Sequence, residues 1–163
     1  MAKPRNKKYV QKYQGTKVHP LLAFSEDDVK LEHNHAIKAL VRLSRNVGSL
    51  GDWCDLTCRL LVGREIAVKF FKEDAVAEFI HNTISQVITV YSDLQSLTSE
   101  TWSITNVEIS QLNDAIDYIM EMQTKITRRQ YLAIFKEVSV KKVDDSLLEV
   151  QSWADFKLMH KIT

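Results

Sequence analysis

The sequence predicts an all-α protein, an antiparallel bundle of five to six helices preceded by an extended basic N-terminal arm. Three observations carry that expectation. Only four glycines and two prolines occur in 163 residues, too few breakers for the many turns that a sheet protein requires. Apolar residues recur at helical spacing from about residue 26 onward. Finally, Ser25 with Asp28, Thr105 with Glu108 and Thr127 with Gln130 each place a hydroxyl three residues before a side chain that can close a capping box or a variant of it. A chain of this length is served by one core, so residues 25–163 are expected to form a single helical domain and residues 1–24 an arm.

Both prolines, Pro4 and Pro20, fall within residues 1–24, where no helical apolar period is present, and the residue before each proline is biased toward extended backbone. Ser25 opens the first helix, and the acidic first turn Glu26, Asp27 and Asp28 complements the helix dipole. Val29, Ala36, Ile37, Leu40, Leu43 and Val47 mark its buried face until the segment from Gly48 to Gly51 stops it, giving a helix over 26–47. Asp52 is read as the cap of the second helix, whose stripe of Trp53, Leu56, Leu60, Ile66, Ala67 and Phe70 runs to about Lys72. Gly63 interrupts that pattern. In a helix interior it is about 1 kcal/mol worse than alanine, which calls for either a closely approaching neighbour or a break.

The third helix, Asp74 to Leu97, carries Val76, Phe79, Ile80, Ile84, Val87, Ile88, Tyr91 and Leu94, a face wide enough for a central position. The Ser- and Thr-rich stretch from Thr98 to Thr105 is a connection. Ile109, Leu112, Ile116, Ile119 and Met120 define the fourth helix, and Tyr131, Leu132, Ile134, Phe135 and Val138 the fifth. A last helix is expected from near Asp145 through Leu148, Trp153, Phe156 and Leu158.

The formal charge of +1 conceals an asymmetry. Lys3, Arg5, Lys7, Lys8, Lys12 and Lys17 precede the first acid, Glu26; with those six set aside, sixteen cations face twenty-one anions, a balance of −5. The expectation is a basic arm on an acidic body. The segment from Tyr9 to Gln14 is polar and aromatic, unlike the apolar core of a secretory signal, and no apolar run approaches a membrane span. Cys54 and Cys58 lie four apart on a helix, a poor geometry for a mutual disulfide. They are read as small buried thiols in a reducing cytoplasm.

Several clusters invite a chemical reading. His33 and His35 in Glu32-His33-Asn34-His35 point about 200° apart on a helix and cannot chelate one metal. Glu32 to His35 and Glu78 to His81 both have the Glu-x-x-His spacing of di-iron bundles. Glu78 and His81, however, align with Asn82, Ser85 and Thr89, and Glu32 and His35 with Arg42 and Asn46. Both pairs are therefore expected to face solvent, and neither metal nor cofactor is expected. Two thiolates alone do not complete a zinc site. There is no nucleophile elbow and no glycine-rich phosphate loop. Arg128 and Arg129, followed by Gln130 and Tyr131, form a basic and aromatic cluster, most simply a solvated turn beside a core tyrosine. In the arm, Lys3, Arg5, Lys7, Lys8 and Lys12 alternate with Tyr9 and Tyr13. A flexible segment with that spacing can track phosphates and stack on bases, anchor to an acidic partner, or lie against the acidic body.

The opening Lys3-Pro4-Arg5-Asn6-Lys7-Lys8-Tyr9 resembles the start of a group of small accessory proteins of temperate phages and prophages. The resemblance continues through the helix start Asp52-Trp53 with Leu56 and Leu60, and more loosely through Met122-Gln123 and Ile126-Thr127. The chain departs from the group in lacking a glycine-rich stretch after the second helix and in its tail beyond about residue 143. The resemblance brings no catalytic residues. It implies a bacterial host cytoplasm and a phage accessory role. In that setting the leading expectation is a non-catalytic protein that binds a host or phage macromolecule, an inhibitor of a host defence complex being one form. An acidic body can present carboxylates to a surface that otherwise holds nucleic acid, with Asp144 and Asp145 and the arm cations as contact residues. The alternative is a nucleic acid-binding accessory factor that uses the arm with Arg128 and Arg129. An exposed apolar strip on the third or last helix would pair two copies.

Overall fold

The computed structural model describes residues 25–72, 74–96, 104–141 and 152–162. Among them six α-helices follow one another without a strand: α1 Glu26–Ser44, α2 Leu50–Ile66, α3 Asp74–Ser96, α4 Asn106–Gln123, α5 Arg128–Lys141 and α6 Trp153–His160. A π-helical turn, Ala67–Phe71, continues α2. The all-α helical bundle is thus as expected. The arm, most of the connection at 98–105, and residues 142–151 with Asp144, Asp145 and Leu148 lie outside the described residues, as do the side chains of Val87, Ile88, Thr89, Tyr91 and Leu94.

Local chemistry sets the helix starts. Ser25 Oγ accepts from the Asp28 amide at 3.1 Å. Thr105 and Glu108 close a full box: the Glu108 amide donates to Thr105 Oγ1 at 3.3 Å and the Thr105 amide donates to Glu108 Oε2 at 2.7 Å. Thr127 and Gln130 do the same, at 3.1 Å and 2.8 Å. The start of α2 corrects the expectation for Asp52. Ser49 is the cap and Asp52 the acidic third position: the Asp52 amide donates to Ser49 Oγ at 3.3 Å while the Ser49 amide donates to Asp52 Oδ2 at 2.7 Å. That pair satisfies two orphan donors where an aspartate cap satisfies one.

α1 ends three residues before Val47. Asn46 takes a left-handed backbone, φ 57°, and the Val47 amide reaches back to the Arg42 carbonyl at 3.0 Å, the closure that ends many helices. Val47 is then exposed. Gly48 follows against Leu43, whose Cγ would lie 2.9 Å from an added Cβ.

The central helix is α2, not α3. It touches α1, α3, α4 and α5, and its residues from Arg59 to Arg64 are buried without interruption. Leu56, Leu60, Leu61, Val62 and Ile66 fill the core with Leu43 of α1, Ile80 of α3, Leu112, Ile116 and Ile119 of α4, and Ile134 of α5. Gly63 sits inside continuous helix, and an added Cβ would overlap Cγ1 and Cδ1 of Ile119. The glycine is there for close approach of α4. Phe70 lies in the π turn and is exposed instead of continuing the buried stripe. α5 buries Tyr131, Ile134 and Val138 but exposes Leu132 and Phe135, and α6 buries Trp153 and Phe156 but exposes Leu158. In both helices the buried stripe is narrower than the run of apolar letters.

Candidate functional site

Two arginines enter the core from α2. Arg59 is only 5% exposed, with NH1 3.5 Å from Glu32 Oε2 of α1. The same carboxylate accepts a short hydrogen bond from the Tyr131 hydroxyl of α5. Burial pulls the Arg59 guanidinium below its ordinary value while Tyr131 and Glu32 oppose that shift. Burial, then the bond to Glu32, pushes the Tyr131 hydroxyl well above the usual phenol range. These three side chains tie together three helices. A cleft of about 430 Å³ opens above them, walled by Leu31 and His35 on α1 and Phe135 on α5. The guanidinium nitrogens lie beneath its surface, shielded from solvent, so the cluster acts as a brace.

Arg64, 3% exposed, occupies the other side of α2. Its NH1 lies 3.0 Å from His81 Nδ1 of α3. A guanidinium only donates, so the imidazole accepts at Nδ1 and is neutral, with its proton on Nε2. The Arg64 guanidinium also stacks 4.1 Å from the Phe156 ring centre, and burial lowers it to about 10, against a smaller opposing influence from Glu65. It remains charged at neutral pH. His81 packs 5.4 Å from Trp153 and 4.9 Å from Phe156. Outside this stack Asp74 holds α6, accepting from Trp153 Nε1 at 3.2 Å and from Lys157 Nζ at 2.8 Å.

This arrangement corrects the outward reading of the two Glu-x-x-His pairs. His35 and Glu78 are exposed as expected, but Glu32 is half-buried on Tyr131 and His81 is buried under α6. No pair brings both members to one site, and among the described residues no group of three or more His, Cys, Asp or Glu is placed to hold a metal. Cys54 is exposed rather than buried, and Cys58 is half-buried. Among the described residues no helix is long and apolar enough to cross a membrane.

The surface of α4 carries the clearest functional character. Its charged residues, Glu108, Asp114, Asp117 and Glu121, are all acidic. Asp114, Asp117, Tyr118 and Glu121 share an arc of about 100° on the helix and line a shallow depression of about 180 Å³. Along the axis the three carboxylates are spaced by about 4.5 and 6 Å. Asp117 takes a contact from His33 at 3.8 Å and Glu121 pairs with Lys125 at 2.7 Å. Asp114 has no ion-pair partner among the described residues. Tyr118 is 45% exposed, with its ring fixed edge-on to Phe79 at 5.8 Å. Arg128 and Arg129 are exposed in the first turn of α5, where they oppose the helix dipole instead of complementing it. The arm cations, Tyr9, Tyr13, Asp144 and Asp145 lie outside the described residues.

The sequence reading missed the α4 face, although four acids without a base on one helix is a signal that composition alone displays. No family model, curated protein or solved structure matches the chain. The fold and this face define a helical-bundle protein with an acidic, aromatic-centred surface.

Proposed function

We propose that the chain is a non-catalytic binding protein whose α4 face engages a basic surface of a protein partner. The observation that carries this reading is the one-signed charge of α4 around a fixed, half-exposed tyrosine. Carboxylates in an exposed row steer a basic partner and fix its register, while an anchored aromatic supplies contact area at little entropic cost. In the phage setting that the N-terminal resemblance implies, the partner is a host or phage protein whose basic surface ordinarily holds nucleic acid, and occlusion of that surface is how the protein acts. Inhibition of a host defence complex is one form of this role.

The test compares immobilised wild type with the triple variant Asp114→Asn, Asp117→Asn, Glu121→Gln in bacterial lysate at low salt. The wild type is expected to retain basic proteins that added duplex DNA displaces, and the variant to retain none of them. Equal retention by both would contradict the reading. Direct retention of DNA by the wild type, lost on deleting residues 1–17, would favour nucleic acid binding through the arm instead.

A further inference from the structure

A second cavity, of about 460 Å³, lies where the π turn, the start of α3 and α6 meet. Its polar rim is Lys69, Lys72, Lys157 and Lys161 with Asp74, and Trp153 and Ile162 contribute to an apolar floor. Two of the four ammonium groups are matched within the fold: Lys69 bonds to Glu137 and lies 3.7 Å from Glu65, and Lys157 bonds to Asp74 at 2.8 Å. Lys72 and Lys161 have no ion-pair partner among the described residues. Each follows a helix end, which places about half a negative charge there. Among the charged side chains that line the cavity four are lysines against the single Asp74, an excess larger than the two helix ends offset, so the rim favours an anion.

The backbone singles out the same two residues. Lys72 and Lys161 adopt left-handed conformations, φ 52° and 51°, and the only other non-glycine residue with positive φ among those described is Asn46. Lysine has no intrinsic tendency toward that region, which glycine or asparagine occupies more readily. A helix stop alone would be served better by glycine. The π turn beside Lys72 is also a departure from regular helix of the kind that recurs at functional sites. Strained positions and the irregular turn meet at one cavity, and both strained side chains are cations on its rim.

We infer that this cavity binds an organic phosphate monoester with a flat apolar body, its phosphate held by Lys72 and Lys161 and its body lying on the floor that includes Trp153. The site is separate from the α4 face, so it stands or falls independently of the partner proposed above.

An NMR titration of the full chain with 1-naphthyl phosphate, inorganic phosphate and 1-naphthol tests it. The phosphate ester is expected to shift the Trp153 indole signal and the Lys72 and Lys161 amides, and to bind at least about tenfold more tightly than either half alone, as two cooperating contacts imply. Lys72→Gly and Lys161→Gly relieve the left-handed backbone and so are expected to keep or raise the melting temperature. Each is also expected to weaken the ester by about tenfold, the effect of losing one charge-assisted contact. No shift at Trp153, equal affinity for inorganic phosphate, or wild-type affinity in both glycine variants would overturn the inference.

Discussion

At Gly63 the missing side chain is what lets α4 approach α2, because the space a Cβ would need is filled by Ile119. Gly63→Ala is therefore expected to lose about 1–3 kcal/mol by overpacking, despite the better helix propensity of alanine. Combining it with Ile119→Ala should cost less than the two single losses added together, since the truncation makes room for the new methyl. Urea denaturation of the four proteins checks this, and strict additivity would contradict the close approach. Tyr131 supplies a second residue-scale test. Its hydroxyl is raised above the phenol range in the fold, so its contribution is fully present below the unfolded value near 10 and is lost as pH rises through the folded value. The melting temperature of the wild type should fall between about pH 9 and 11 more steeply than that of Tyr131→Phe. The variant itself should be about 1–3 kcal/mol less stable at neutral pH. Neither tyrosine nor glycine announced its role by letter alone. Gly63 called for two explanations, and only the position of Ile119 on another helix chooses between them.

Helix starts were largely legible because capping is a matter of residues three apart: Ser25, Thr105 and Thr127 all cap their helices, Thr105 and Thr127 with the return bond that the spacing predicts and Ser25 without it. The misplaced start of α2 came from reading Asp52 as a cap when Ser49 and Asp52 share the work. Ser49→Ala should cost about 1 kcal/mol. Helix faces were less legible wherever a second element decides what is covered. His81 continues a polar stripe along α3, yet α6 lies over it, and α6 carries only two buried residues of its own, Trp153 and Phe156. Nothing in a short stripe says which neighbour it will cap. The clasp on α6 has a pH signature. The bond from Lys157 holds the Asp74 carboxyl below its ordinary value of 3.8, so the clasp is present above that value and is lost as pH falls through the lower folded one. The Trp153 indole resonance should hold its folded position above the ordinary value of 3.8 and move as the pH falls below it. In Asp74→Asn it should be displaced already at neutral pH. An indole signal unmoved by either change would show that α6 is held by its aromatic stack alone.

Across the whole molecule, the net acidity of residues 26–163 was legible from charge counting. The location of the acidic surface was not, because net charge says nothing of which carboxylates are exposed on one helix and which serve inside, as Glu32 does for Tyr131 and Arg59. The α4 face is the structure's contribution to the functional reading, and it predicts where a partner sits. Three aromatic rings on different elements are exposed to a similar degree: Tyr118 at 45%, Phe135 at 41% and Phe70 at 38%. They form a built-in footprinting panel. Hydroxyl-radical oxidation, read by mass spectrometry with and without the captured basic partner, should fall sharply at Tyr118 in the complex and stay unchanged at Phe135 and Phe70. Unaltered oxidation of Tyr118 in a saturated complex would contradict the α4 face as the binding surface.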